Sequence, residues 1–250
     1  MKLSLADKDK IKRIGYSKIL NLSCGSYLVK EMKADKGIIE LLGSFLCRLI
    51  KLKVPNNYLI NLNGKYYLLS EDLSKEGIFV DAAKMFGTEK DDVNVNEAIN
   101  IVNEKFSDSK IEDDILKMYF FDCLFQNWDR RLDNWGFLHE KEGVKLVAFD
   151  FDNCFVDDVK VTYLHMANTC LISTFEDLKY FLEHGKKEDV EKFIYIYELF
   201  NPSFVENILK IIMKNFKVGN GQILNELMTK YITNYRNIEG VLTKDTKRER

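Results

Sequence analysis

The 250-residue sequence predicts an α+β fold in two lobes, a small β-rich N-terminal lobe with one helix and a mainly helical C-terminal lobe. Three observations carry that prediction. Short β-type runs fill most of the first third around a single stretch of helical periodicity. Asn63-Gly64, between two such runs, is a strong two-residue hairpin signal. From about residue 80 the dominant apolar period becomes 3.6.

Each element follows from its own residues. GSYLVKEM (25–32) reads as a strand, because β-formers follow the breaker pair Cys24-Gly25. Residues 35–52 place Ile38, Ile39, Leu42, Phe45, Leu46, Leu49 and Ile50 at helical spacing, and Pro55 follows as a stop. YLINL and KYYLLSE then flank the hairpin turn. Residues 111–127 form an amphipathic helix through Ile115, Met118, Tyr119, Cys123 and Leu124, and two β-type runs, 135–138 and 144–150, flank the turn HEKEG. Helices over 174–184, 187–200, 203–216 and 221–236 fill the rest, with Pro202 suited to a first helical turn and Asn201 to its cap. The lobes divide as 1–73 and 74–250. A short connection must join them, since only two prolines and no Ser/Gly-rich linker interrupt the chain. That order suits a ligand held between lobes.

Composition narrows the function classes. A hydrophobic content of 46% with 30% charged residues describes an ordinary globular chain. A net charge of −2 gives no bulk reason to expect a nucleic-acid partner. The five cysteines (Cys24, Cys47, Cys123, Cys154, Cys170) are odd in number and never form C-x-x-C, which argues against a disulfide framework or structural zinc and for a reducing compartment. The N-terminus lacks the apolar core of a signal peptide, and IIELLGSFLCRLI is too short and too charged to span a membrane. The cytoplasm is the expected location, with export to a host cell left open.

The chemistry concentrates in QNWDRRLDNWGFL and the following KLVAFDFDNCF. Asp129 and Asn134 stand five apart on a turn after a long helix and before a short strand; Asp150 ends an apolar strand. Phosphoryl transfer asks a protein mainly to place a nucleophile in line and to hold divalent ions against phosphate oxygens. A D-x-x-x-x-N turn supplies a carboxylate for the acceptor hydroxyl and an amide oxygen for Mg²⁺, and a strand-end carboxylate completes an oxygen-ligand site. Asp152 stands two residues on and competes with Asp150 as the main ligand; the strand end favours Asp150. Arg130 and Arg131 beside the turn read as solvated or paired with a nearby carboxylate, and Trp128 and Trp135 as core anchors.

FQNWDRRLDNWGFL resembles the catalytic loop of HipA-like kinases, of the related CtkA-type kinases and, more loosely, of phosphatidylinositol 3-/4-kinases. The resemblance spans roughly residues 15–155 and is specific around 119–155. It implies a two-lobed protein-kinase-like fold and an ATP- and Mg²⁺-dependent kinase acting on serine or threonine of a protein. By position Asp129 is then the catalytic aspartate, Asn134 the metal-binding asparagine and Asp150 the metal-binding aspartate, in a D-F-D triplet that lacks the glycine of D-F-G. Lys30 in YLVK resembles the lysine that contacts ATP phosphates, with Glu40 as a partner for it and Glu31 in competition. The turn around Ser23, Gly25 and Ser26 stands where a phosphate-covering loop belongs, and its serines are candidate autophosphorylation sites. LLSEDL resembles the hinge, where the backbone of Glu71 and Leu73 holds the adenine edge. A small-molecule or lipid kinase, and a kinase-like binding module without transfer, are the alternatives. Retention of Lys30, Asp129, Asn134 and Asp150 together argues against a dead site.

Overall fold

The computed structural model describes residues 3–14, 17–87, 93, 95–106, 109–127, 130–155 and 175–245. The N-terminal part begins with helix α1 (Leu5–Lys12), which the sequence reading did not anticipate, followed by strands β1 (Lys18–Leu22) and β2 (Gly25–Met32). Helix α2 (Ala34–Leu49) leads to the hairpin of β3 (Asn57–Leu62) and β4 (Lys65–Glu71). Asn63 and Gly64 turn the hairpin with φ of 56° and 84°, the positive pair that a two-residue primed turn requires. The four strands make one antiparallel sheet in the order β1-β2-β4-β3.

Strand alternation gives this sheet two apolar surfaces. Tyr27, Val29, Tyr67 and Leu69 form a small core with Ile11 of α1 and Leu22. Leu59 belongs instead to the main core, as do the apolar residues of α2, which packs over β3 and β4. Gly37 permits that packing: a Cβ there would lie 2.6 Å from a methyl of Leu59.

Beyond a 3-10 turn at Leu73–Lys75, strand β5 (Ile78–Asp81) and helices α3 (Ala82–Phe86), α4 (Val95–Phe106) and α5 (Ser109–Phe125) follow. Strands β6 (Trp135–Glu140) and β7 (Gly143–Ala148) then complete a second antiparallel sheet, β5-β6-β7. The chain closes with α6 (Phe175–His184), α7 (Lys187–Leu199), α8 (Pro202–Phe216) and α9 (Gly221–Asp245). As its sequence suggests, α8 starts at Pro202, and the Asn201 side chain accepts the Phe204 amide at 3.1 Å.

Helix α5 forms the axis of the helical part. Its Phe125 stacks on Tyr231 of α9 with ring centroids 4.8 Å apart. The Asn234 carboxamide donates to the carbonyls of Cys123 and Leu124, at 3.0 and 2.7 Å, partnering carbonyls at the helix end. This pins the end of α5 immediately before the segment that carries Asn134. Among the described residues no helix is long and apolar enough to cross a membrane.

Candidate active site

Lys30 lies on β2 on the same alternating face as Leu28. Register pairs these residues with Leu68 and Ser70 of β4, which share that face. The second sheet approaches from the other side. Phe149 follows β7, and its amide donates to the Asn134 carbonyl at 3.1 Å, bringing the backbone at Asn134 beside that at residues 149–150. Asp150 then takes the left-handed conformation, φ 59°, a region that aspartate tolerates better than most residues.

Between the two sheets lies a cleft of about 400 Å³. Its walls are mostly apolar, with Ile19, Leu28 and Leu68 facing Val147 and Phe149. Lys30 and Asp150 supply charge, while Glu71 at the end of β4 and Asp72, Leu73 and Ser74 after it also line the cleft. The Lys30 ammonium contacts Asp152 at 2.9 Å and Asp150 at 3.3 Å. Desolvation lowers the lysine pKa, but the two carboxylates win and raise it above the ordinary value, so the ammonium is charged at neutral pH.

Of the two glutamates that compete for Lys30 in the sequence, Glu40 is engaged elsewhere. Glu40 is buried on α2, where one carboxylate oxygen accepts the Phe151 amide at 2.5 Å and the other accepts from the Asn57 carboxamide at 3.1 Å. Burial, and after it the charges of Asp150 and Asp152, push Glu40 up to about 8. Glu40 therefore anchors the backbone of the D-F-D segment, and Lys30 is left to the aspartates. A second lysine joins them: Lys36, in the first turn of α2, donates to the Asp152 carbonyl at 2.6 Å and to the Asn153 side chain at 2.9 Å.

The turn expected to cover phosphates is committed to neighbours. The Ser23 amide donates to Asp7 at 3.0 Å, and the Ser23 hydroxyl donates to the same carboxylate. Ser26 donates to Asp72 at 3.0 Å. Gly25 has a positive φ of 147°. None of these three residues lines the cleft. Glu71 and Leu73 do line it, although the Glu71 amide already donates to the Asn56 carbonyl at 2.9 Å. Asp129 and Trp128 lie outside the described residues.

Arg130 is paired and fully buried, not solvated in a loop. Its guanidinium makes a fork to Asp122 of α5, at 2.9 and 3.1 Å, and donates to the carbonyls of Asn134 at 2.9 Å and Phe149 at 2.6 Å. It also lies over the Phe151 ring, 4.8 Å from the centroid. Against the cost of burial, Asp122 raises Arg130 above its already high value, so the guanidinium is charged; burial pushes the Asp122 carboxyl up, and Arg130 opposes that rise. The sequence does carry one signal for this: Asp122 interrupts the apolar run MYFFDCLF, and a buried carboxylate requires a partner.

No family model matches the chain, and no curated protein matches it. Solved structures do. The Helicobacter pylori proinflammatory kinase CtkA superposes with a TM-score of 0.66 at 19% identity, covering 93% of this chain and 94% of that one. HipA of the Shewanella oneidensis MR-1 toxin–antitoxin system, solved with HipB and operator DNA, superposes with a TM-score of 0.65 at 14% identity. That match covers 90% of this chain and 64% of HipA. The chain has the HipA/CtkA kinase-like fold. At these identities the likeness establishes the architecture, with its small antiparallel sheet and mainly helical C-terminal part.

Proposed function

We propose that this chain is an ATP- and Mg²⁺-dependent phosphotransferase whose acceptor is a serine or threonine hydroxyl of a protein, with residues 1–73 as the nucleotide lobe and 74–250 carrying the catalytic and metal-binding loops. The observation that carries the reading is the meeting of Lys30 with Asp150 and Asp152 beside an apolar cleft of about 400 Å³. That volume falls in the usual range for small-ligand sites. Ile19, Leu28, Val147 and Phe149 suit the faces of a purine, and the backbone of Glu71 and Leu73 suits its edge. The carbonyl is the group that Glu71 contributes, since its amide is taken by Asn56.

The donor set fits magnesium. Asp150 and Asn134 would offer the hard oxygens that this ion prefers. Asp150 and Asn134 would hold the ion through one carboxylate and one amide and would leave its other positions to water and phosphate. Bound magnesium neutralises the charge of the phosphate oxygens. Lys30 contacts the α/β-phosphates, Asn134 and Asp150 hold the metal, and Asp129 orients and deprotonates the acceptor hydroxyl. Ser23, Gly25 and Ser26 stand off the cleft with the serine hydroxyls held by Asp7 and Asp72, so this turn would cover phosphates only after moving toward it.

Incubation of the purified protein with γ-labelled ATP and Mg²⁺, followed by mapping of labelled residues, tests this directly. Label is expected on the chain itself or on an added acceptor protein, with Ser23 and Ser26 as candidate positions. Asp129→Ala and Asp150→Ala should reduce it by about 100-fold or more. A folded wild-type protein that consumes no ATP with magnesium present sinks the proposal.

A further inference from the structure

Glu40 has two cationic or donor groups to choose between, Lys30 and the Phe151 amide, and something must decide which it takes. The structure points to Asn57. This asparagine opens β3, where the register sets it opposite Ser70 of β4. It is buried, and its carboxamide uses both of its ends. The oxygen accepts from the Ser70 hydroxyl, and the nitrogen donates to Glu40 at 3.1 Å and to the Ser44 hydroxyl at 2.6 Å. A carboxamide has two donors and one acceptor oxygen, so its orientation is dictated.

The consequence runs from β3 to the aspartates. With one carboxylate oxygen of Glu40 held by Asn57, the other meets the Phe151 amide. Phe151 is itself fixed by packing: it is fully buried, and Gly43 lies so close that a Cβ there would sit 2.5 Å from the ring. Asp150, one residue before, keeps a left-handed backbone that persists only where its surroundings determine it. We infer that Asn57 is a positioning residue: it turns Glu40 away from Lys30 and onto the Phe151 amide, which holds Asp150 in place and leaves Lys30 to Asp150 and Asp152. Its role in the hydrogen-bond chain stands on geometry; its role in chemistry rests on the phosphotransferase reading above.

Inverting the hydrogen-bond polarity tests it. Asn57→Asp sets an acceptor against the Glu40 carboxylate, and adding Glu40→Gln restores a donor opposite it while keeping an oxygen for the Phe151 amide. Two readouts apply, with every variant compared at the same pH. Hydrogen exchange of the peptide covering residues 149–155 needs no catalysis. The Mg²⁺ concentration for half-maximal ATP turnover reports on the metal site.

Asn57→Asp is expected to speed that exchange by about ten-fold or more, the loss of one hydrogen bond to a charged group, and to raise the Mg²⁺ requirement by a similar factor. The ATP KM at saturating Mg²⁺ should stay close to wild type. The double variant E40Q/N57D should bring both readouts back to within about three-fold of wild type. If N57D does not fold, a folded double variant is the expected rescue. Exchange unchanged in folded N57D, or a double variant as impaired as the single one, overturns the inference. A wild-type protein that transfers no phosphate removes the chemical role but leaves the exchange result to decide the positioning.

Discussion

Replacing Arg130 by methionine probes the knot beneath the proposed metal loops. Methionine keeps comparable length and apolar bulk, so the change isolates the guanidinium. Four hydrogen bonds disappear: two to Asp122, one to the Asn134 carbonyl and one to the Phe149 carbonyl. Asp122, fully buried, is left with the Asn127 carboxamide at 2.9 Å as its side-chain partner. Removing one member of a buried pair typically costs about 3–5 kcal/mol, because the remaining charge is uncompensated. The Asn134 carbonyl keeps the Phe149 amide, but the Phe149 carbonyl loses its guanidinium donor, which places this case toward the top of that range, at roughly 4–5 kcal/mol. For a chain of this size that corresponds to a fall in Tm of roughly 10–15 °C. Thermal unfolding followed by circular dichroism measures it. Replacing Asp122 by leucine in the same protein should recover part of the loss, since the two charges then leave together. A single variant within about 1 kcal/mol of wild type, or a double variant with strictly additive losses, refutes the reasoning.

Three further outcomes follow from the same geometry. Asp150→Ala should raise the Mg²⁺ requirement of ATP turnover more than Asp152→Ala, because the Asp150 side chain is 35% exposed beside the cleft and that of Asp152 only 13%; a magnesium titration giving the reverse order assigns the main ligand to Asp152. Gly43→Ala should destabilise the protein by roughly 1–3 kcal/mol through a clash with Phe151, although alanine is the better helix former, and a raised Tm contradicts that packing. Asp7 accepts from Ser23 and from Ser4, and these hydrogen bonds hold its carboxyl far below the usual 3.8. A lowered folded value means that the stabilisation is complete above pH 3.8 and is lost as the pH falls further. Asp7→Asn should therefore lower Tm at neutral pH, with the gap to wild type closing in stronger acid; a gap independent of pH assigns Asp7 no charged role.

Local patterns made most of the fold legible. The strand 25–32 matches β2, the helix over 35–52 corresponds to Ala34–Leu49, and the hairpin turns at Asn63-Gly64. The last helices begin within a residue or so of their expected starts, because Pro202 and Asn201 mark one of them chemically. Helix α1 escaped notice because its helical face is scarcely amphipathic, yet Ser4 and Asp7 form a capping box that spacing alone displays. Strand β5 is four residues long, too short for a period to emerge. Within the candidate site, Asn134 stands out by its spacing from Asp129, Asp150 by its place at the end of an apolar run, and Lys30 only through the resemblance of YLVK to the phosphate-contacting lysine of HipA-like kinases. Asn57, Lys36 and the true partner of Glu40 do not, since their roles depend on residues about 13 to 117 positions away that only the folded chain brings together.

The central claim is that the cleft between the two sheets binds a magnesium nucleotide, and nucleotide-linked stability tests it most directly. A ligand at about 100 times its dissociation constant adds about 2.7 kcal/mol to the stability of a one-site protein. The wild-type Tm should rise by several degrees with ATP and Mg²⁺ together, and Lys30→Met and Asp150→Ala should each blunt that rise while remaining folded. A wild-type Tm that does not move at millimolar ATP and magnesium contradicts the account.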